Sequence, residues 1–391
     1  MKKSLRVIMS LVLVCVLTAG AIPFTVASAQ NEVLRFNDNS KFVILQFADM
    51  QDSYPVREAM LAFINESLDR VKPDLVVFTG DNVVSEDLQT YDQVLEPLVT
   101  RGIPFTMCFG NHDEEASGGR TKEELLAKYQ TFPGCYASDP YPELSGCATH
   151  NLPIYASDGS DEIMFNIWMF DSGDYMTNSD GERGYSCVRA DQVEWYKNAS
   201  AQLEADCGKK VYSLAFQHII PQEPCQAAFF NVPVQLGAIT KNFEDGTSTG
   251  YLVNLDGIEG YAFEPSCPSM YNFGQWDAFV ERGDVLALAV GHDHSNAFVV
   301  NVDGVDLVQT PGCTWHSYGE NFVRGASVFT LYENNPEIYA HEFISVAEYA
   351  CEDNSAIPGL EDSLATYRFY VVMKEIMGFM NRLLVSLGIP V

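Results

Sequence analysis

Five short apolar runs in this chain each end abruptly at residues able to bind a metal. Phe42–Phe47 runs into Asp49, Leu75–Thr79 into Gly80-Asp81, and Pro104–Phe109 into Gly110-Asn111-His112-Asp113. Val211–Phe216 runs into His218, and Val285–Val290 into Gly291-His292-Asp293-His294. Carboxylate, amide and imidazole donors in this mixture suit a bimetallic hydrolytic centre, in which two cations about 3.5–4 Å apart share a carboxylate, activate a water and clamp the attacked group. Asp81 is the natural bridge. His292 and His294 project to one side, because alternate residues of an extended backbone share a face. His112 follows a ligand-type Asn and cannot easily share its metal, so it is better placed as the acid that protonates a leaving oxygen. Singly, each residue has a bland reading: an Asp after a strand is usually a turn or helix cap, and Gly-Asn is a common turn. Together they differ, because four of the seven histidines, His112, His218, His292 and His294, fall at the ends of such runs. His150 and His341 lack that context and read as structural or surface groups.

The elements that position these residues follow from the runs themselves. Five or six apolar residues bounded by turn signals suit strands buried on both faces. Between the first two runs, Val56–Val71 places Met60, Phe63, Ile64, Leu68 and Val71 at helical spacing. Strand, helix, strand alternation indicates an α/β fold, whose ligands gather outside the carboxyl ends of the strands. Five strands delivering these residues to one edge form a single site.

Composition narrows the partners. With 23 Lys and Arg against 53 Asp and Glu, the formal charge is 23 − 53 = −30, which excludes electrostatic nucleic-acid binding. Lys2, Lys3 and Arg6, the apolar stretch Val7–Phe24 and the small residues Ala27-Ser28-Ala29 read as a signal peptide over 1–29, cleaved after Ala29. Secreted or extracytoplasmic localisation follows as an expectation. Export makes disulfides plausible among the cysteines beyond Cys15, with Cys135–Cys147 and then Cys225–Cys267 the leading pairings and Cys108 a buried thiol. A catalytic domain is expected over 30–350 and a C-terminal amphipathic helical extension over 351–391. In Leu364–Leu387 polar residues recur about every seven positions, a wide apolar face suited to packing, self-association or peripheral membrane contact. Pro221–Gly283 is long for a connection and reads as a cleft wall or as decoration. Trp315-His316-Ser317-Tyr318, Arg120 and Arg183 are candidate phosphate contacts.

The ordered set Asp49-x-Gln51, Gly80-Asp81, Gly110-Asn111-His112-Asp113, His218 and Gly291-His292-x-His294 resembles the calcineurin-like metallophosphoesterase superfamily, from about Phe42 to Tyr332. The segment Gly283 through Asn296, with Arg324-Gly325-Ala326 downstream, is most similar to its purple-acid-phosphatase-like branch. The resemblance implies a four-layer αββα sandwich of two mixed β-sheets flanked by helices. It puts Asp49, Gln51 and His294 on the first metal, Asp81 between the metals, and Asn111, His218 and His292 on the second. His112 becomes the general acid or transition-state stabiliser, with Asp113 orienting it, and a metal-held hydroxide attacks phosphorus. Two departures stand out. Gln51 replaces the usual imidazole, and Val84 stands where purple enzymes carry the Tyr ligand of ferric iron. Two divalent ions, Mn, Fe or Zn, are the implied cofactors. The expected function is an exported phosphomonoesterase acting on small phosphorylated substrates. The alternatives are a phosphodiesterase or nucleotide hydrolase, or a surface binding protein with a decayed metal site.

Overall fold

In the computed structural model, strand β1 (Lys41–Phe47) sends alternate residues into two cores: Phe42 and Ile44 into one, Leu45 and Phe47 into the other. That is the two-residue period of a strand covered on both faces. Helix α1 (Glu58–Val71) buries Met60, Phe63, Ile64 and Leu68 on one stripe, and it ends where Lys72 turns left-handed at φ 52° and donates its N–H to Leu68. The structure describes residues 33–352 except 236–237, 243–246, 255 and 320, then 357–358, 365–366, 368–369, 371–373, 376 and 383. The expected signal peptide lies outside the described residues, as does much of the expected C-terminal helix. Of that helix, Phe369, Val372 and Ile376 are helical and exposed, and Val371 packs on the main core.

The chain continues through β2 (Leu75–Thr79), α2 (Gln89–Arg101), β3 (Phe105–Cys108), α3 (Lys122–Tyr129), β4 (His150–Tyr155), β5 (Ile163–Met169) and a hairpin of β6 (Tyr175–Thr177) and β7 (Arg183–Tyr185). Next come α4 (Ala190–Cys207), β8 (Ser213–Phe216), α5 (Gln222–Ala228), β9 (Phe229–Val232), β10 (Ile239–Asn242), β11 (Ser248–Val253), β12 (Ile258–Ala262) and α6 (Gln275–Arg282). The last elements are β13 (Val285–Val290), β14 (Asn296–Val302), β15 (Val305–Gln309), β16 (Gly325–Tyr332), β17 (Tyr339–Ser345) and α7 (Val346–Glu352).

One sheet has the order β17-β16-β1-β2-β3, with β1 to β3 parallel and β16 and β17 antiparallel. The other has the order β12-β14-β15-β13-β8-β5-β4, parallel from β15 to β5 and antiparallel at its margins. Their facing sides share a core that includes Ile44, Val77 and Cys108 from the first sheet and Ile167, Phe216 and Ala289 from the second. Residues of α1 and α2 cover the outer face of the first sheet, and residues of α4 and α6 that of the second. This is the four-layer αββα sandwich.

His150 crosses between the sheets: Nε2 meets Thr106 Oγ1 at 2.9 Å and Nδ1 donates to Ala148 O at 2.8 Å, so this buried ring is structural. Pro221–Gly283 is no bare loop. Within it β9 to β11 form their own sheet, and β12 extends the large one. None of the nine cysteines of the described residues is in a disulfide, so neither expected pairing forms. Cys135 and Cys147 instead pack as apolar groups in the core beside the first sheet. Among the described residues no helix is long and apolar enough to cross a membrane.

Candidate metal centre

Parallel strands share a carboxyl edge, and here two sheets bring theirs together. Backbone bonds lock the strand ends to one another: Asp49 N to Gly80 O at 3.2 Å, Gln51 N to Asp81 O at 2.9 Å, and Gly291 N to His218 O at 3.1 Å. The chain pays for this crowding in backbone strain. Asp49, Gln51, Asp81 and His292 all lie at positive φ, between 43° and 77°, which costs on the order of 1–3 kcal/mol at each non-glycine position. Two glycines permit the close approach. A Cβ on Gly110 would fall 2.2 Å from Asp81 Oδ1, and one on Gly291 would fall 2.6 Å from Asp49 Oδ2.

The structure brings the seven expected ligand residues to one buried cluster. Ligand atoms of Asp49, Asp81 and His218 lie within 4.8 Å of one another. His294 Nε2 is 3.4 Å from Asp49 Oδ1, and Gln51 Nε2 donates to Asp81 Oδ2 at 2.8 Å. The same Oδ2 is 3.5 Å from His218 Nε2, which lies 3.1 Å from Asn111 Oδ1 and 3.3 Å from His292 Nδ1. Asp81 Oδ2 therefore meets both Gln51, of the Asp49, Gln51, His294 group, and His218, of the Asn111, His218, His292 group.

This donor set fits two divalent cations. Asp49 Oδ1 is buried without a hydrogen-bond partner. His218 and His294 each turn Nδ1 to a backbone oxygen, of Thr79 and Tyr318 respectively, both at 2.9 Å, which leaves Nε2 facing the carboxylates. Such outer bonds orient metal-binding imidazoles. The electrostatics agree. Burial acts to lower the His218 pKa, but the Asp81 and Asp49 charges win and raise it to about 10. Burial acts to raise that of Asp81, yet His218 and His112 hold it below the usual carboxylate range. The buried carboxylates thus draw positive charge into the centre. Burial, with the charge on His218, drives the second imidazole, His292, well below its ordinary value.

His112 stands at the mouth, its side chain 41% exposed, with its main-chain N–H on Asp81 Oδ1 at 2.8 Å and Nε2 4.0 Å from Asp81 Oδ2. Its Nδ1 is held by Glu115. The expectation that Asp113 orients this ring is corrected. Asp113 is wholly buried and spends Oδ2 on the N–H groups of Gly110 (2.7 Å) and Asp81 (2.8 Å), and Oδ1 on those of Asn82 (2.9 Å) and Val83 (3.3 Å). It braces the loops that carry the ligands.

Sequence reading missed the aromatic wall made by the β6–β7 hairpin. Tyr175 OH accepts from Asn111 Nδ2 at 3.1 Å, and the Tyr185 ring meets His292 edge-on at 4.3 Å. The turn signal Asn178-Ser179-Asp180-Gly181 marks a hairpin but says nothing of what it covers. Arg183 does reach this wall, its guanidinium 3.7 Å from the Tyr175 ring centre. Arg120 instead ties its own loop by donating to Glu86 O and Ser117 O. Tyr318 stacks on His294, with ring centres 4.2 Å apart, while Trp315 packs into the core.

A family model described as calcineurin-like phosphoesterase matches residues 42–296. Among curated proteins, the chain is 28% identical to "Probable inactive purple acid phosphatase 29" of Arabidopsis thaliana, over 75% of this chain and 77% of that one. It is 27% identical to "Probable inactive purple acid phosphatase 14" of the same plant, over 80% of this chain and 79% of that one. Among solved structures it is similar to a dimetal phosphatase from Danio rerio, with a TM-score of 0.44 and 13% identity, covering 75% of this chain and 93% of that chain.

Proposed function

We infer that this chain, which belongs to the calcineurin-like phosphoesterase family, hydrolyses phosphomonoesters outside the cytoplasm. The observation that carries the reading is the buried cluster of Asp49, Gln51, Asp81, Asn111, His218, His292 and His294, with His112 half-exposed at its mouth. Export rests on the leader-like residues 1–29.

Two divalent cations bound by that cluster supply Lewis-acid polarisation and local positive charge. The remaining work belongs to the chain. Asp81 fixes the main chain of His112, and Glu115 holds its Nδ1, which leaves Nε2 4.0 Å from Asp81 Oδ2 at the edge of the cluster. From there it gives a proton to the ester oxygen as the P–O bond breaks and water oxygen bonds to phosphorus, yielding alcohol and inorganic phosphate. Tyr175, whose oxygen already accepts from Asn111, keeps its own proton to donate to a phosphoryl oxygen. Elsewhere the net charge of −30 repels an anionic substrate, which favours small esters over polyanions.

The test is phosphate release from p-nitrophenyl phosphate by purified protein supplied with Mn, Zn or Fe(II), compared with release from bis(p-nitrophenyl) phosphate. Faster release from the monoester, lost in Asp81→Asn and His112→Ala, is the expected result; full activity in both variants refutes the mechanism, and faster diester cleavage makes it a phosphodiesterase. Gln51 and the word "inactive" in the names of the two plant relatives favour a second reading, a surface binding protein with a decayed metal site. Fewer than two metals per chain after reconstitution supports that one.

A further inference from the structure

A cavity of about 420 Å³ opens beside the metal centre. Tyr175, whose hydroxyl lies 3.1 Å from Asn111 Nδ2, and Glu114, two residues past His112, are among its lining residues. Lys122, Asp174, Ser186 and Arg189 line it too. At roughly 30 Å³ per water, the space is ligand-sized.

Its chemistry is specific. Lys122 is neutralised in place, with Nζ 3.0 Å from Asp171 Oδ2 and 2.6 Å from Asp174 Oδ1. Glu114 and Asp174 are held above the usual carboxylate range, first by burial. Ser186 is wholly buried, and its hydroxyl has no hydrogen-bond partner in the protein. Across the lining, Glu114, Glu123, Asp171 and Asp174 outnumber Lys122 and Arg189.

Resting on the phosphomonoesterase reading above, we propose that this cavity holds the alcohol part of the substrate, and that this part is polyhydroxylated, a sugar or a polyol. Each hydroxyl of such a group both donates and accepts, which matches carboxylates set beside Arg189, Ser186 and the Tyr175 phenol. The acidic majority rejects a second phosphate or a carboxylate by like-charge repulsion. An aryl or alkyl group leaves the Ser186 hydroxyl without a partner, which disfavours it.

The test compares kcat/KM for a hexose 6-phosphate and for p-nitrophenyl phosphate in the metal-loaded full chain. Wild type should prefer the hexose ester, and the ratio of the two should fall about tenfold in Ser186→Ala and in Glu114→Gln. A wild-type preference for the aryl ester, or a ratio unmoved by both substitutions, overturns the proposal. Calorimetric titration with a non-hydrolysable hexose 6-phosphonate separates this from failure of the phosphatase reading. If no ester is cleaved, that reading fails, while phosphonate binding weakened about tenfold by either substitution still supports the sugar site. Binding indifferent to both substitutions sinks it, with circular dichroism confirming that each variant is folded.

Discussion

The reassignment of Asp113 yields a sharp prediction. Its two carboxylate oxygens accept four N–H groups, two each, from Gly110, Asp81, Asn82 and Val83. In Asp113→Asn one oxygen becomes an amide NH2, so whichever way the amide turns, two buried N–H groups lose an acceptor and face a donor. A buried N–H left without its acceptor costs about 1–3 kcal/mol, so two amount to about 2–6 kcal/mol. That is a large share of the 5–15 kcal/mol typical of a domain. At roughly 2–4 °C per kcal/mol for a domain of a few hundred residues, the Tm should fall by about 4–24 °C. The freed loops carry Asp81 and Asn111, so metal content should fall with stability. Differential scanning calorimetry and elemental analysis on wild type and variant make the measurement. If Asp113→Asn keeps its Tm and two metals but loses kcat, Asp113 acts on His112 and the brace assignment is wrong.

Three further outcomes follow from the same geometry. Gly110→Ala should lose metal from the centre, since its Cβ would fall 2.2 Å from Asp81 Oδ1; a variant that still binds two metals by elemental analysis contradicts the close-approach argument. Gln51→His should bind its metal more tightly, because imidazole is a stronger donor than an amide oxygen to Zn or Fe, and chelator competition should show a higher concentration needed for half-removal. Burial pushes His150 down to about 4 from an unperturbed value near 6.5. The unfolded chain therefore takes up a proton that the folded chain refuses, so the stability this group confers is complete above pH 6.5 and falls away as pH drops toward 4, by about 3 kcal/mol in all. Urea unfolding of His150→Gln should lack that part of the acid decline; equal pH slopes in the two proteins would contradict it.

The centre was legible in the sequence because its chemistry is carried at strand ends. Apolar runs bounded by turn residues specify strands buried on both faces, and the residue after each run lands at the sheet edge whatever the rest of the chain does. Local chain order could therefore nominate Asp49, Asp81, Asn111, His112, His218, His292 and His294 together, while Gln51 came only with the family resemblance. The role of Asp113 was not legible, since motif spacing shows that it follows His112 but not that its carboxylate turns back onto four backbone N–H groups of two loops. Nor was Glu115, whose contact with His112 depends on how the turn after β3 coils.

By itself, then, the sequence determined the strand–helix alternation and the order of the metal-competent residues, because hydrophobic period and donor chemistry are local properties; the four layers came with the family resemblance. Tertiary structure decided what only non-local contact can decide: that the β6–β7 hairpin lays Tyr175 and Tyr185 beside Asn111 and His292, and that Glu114, far in the chain from Ser186 and Arg189, lines one cavity with them. It also left Cys135 and Cys147 as core thiols. Pairing, enclosure and burial depend on which elements pack together, and no single stretch of chain encodes that.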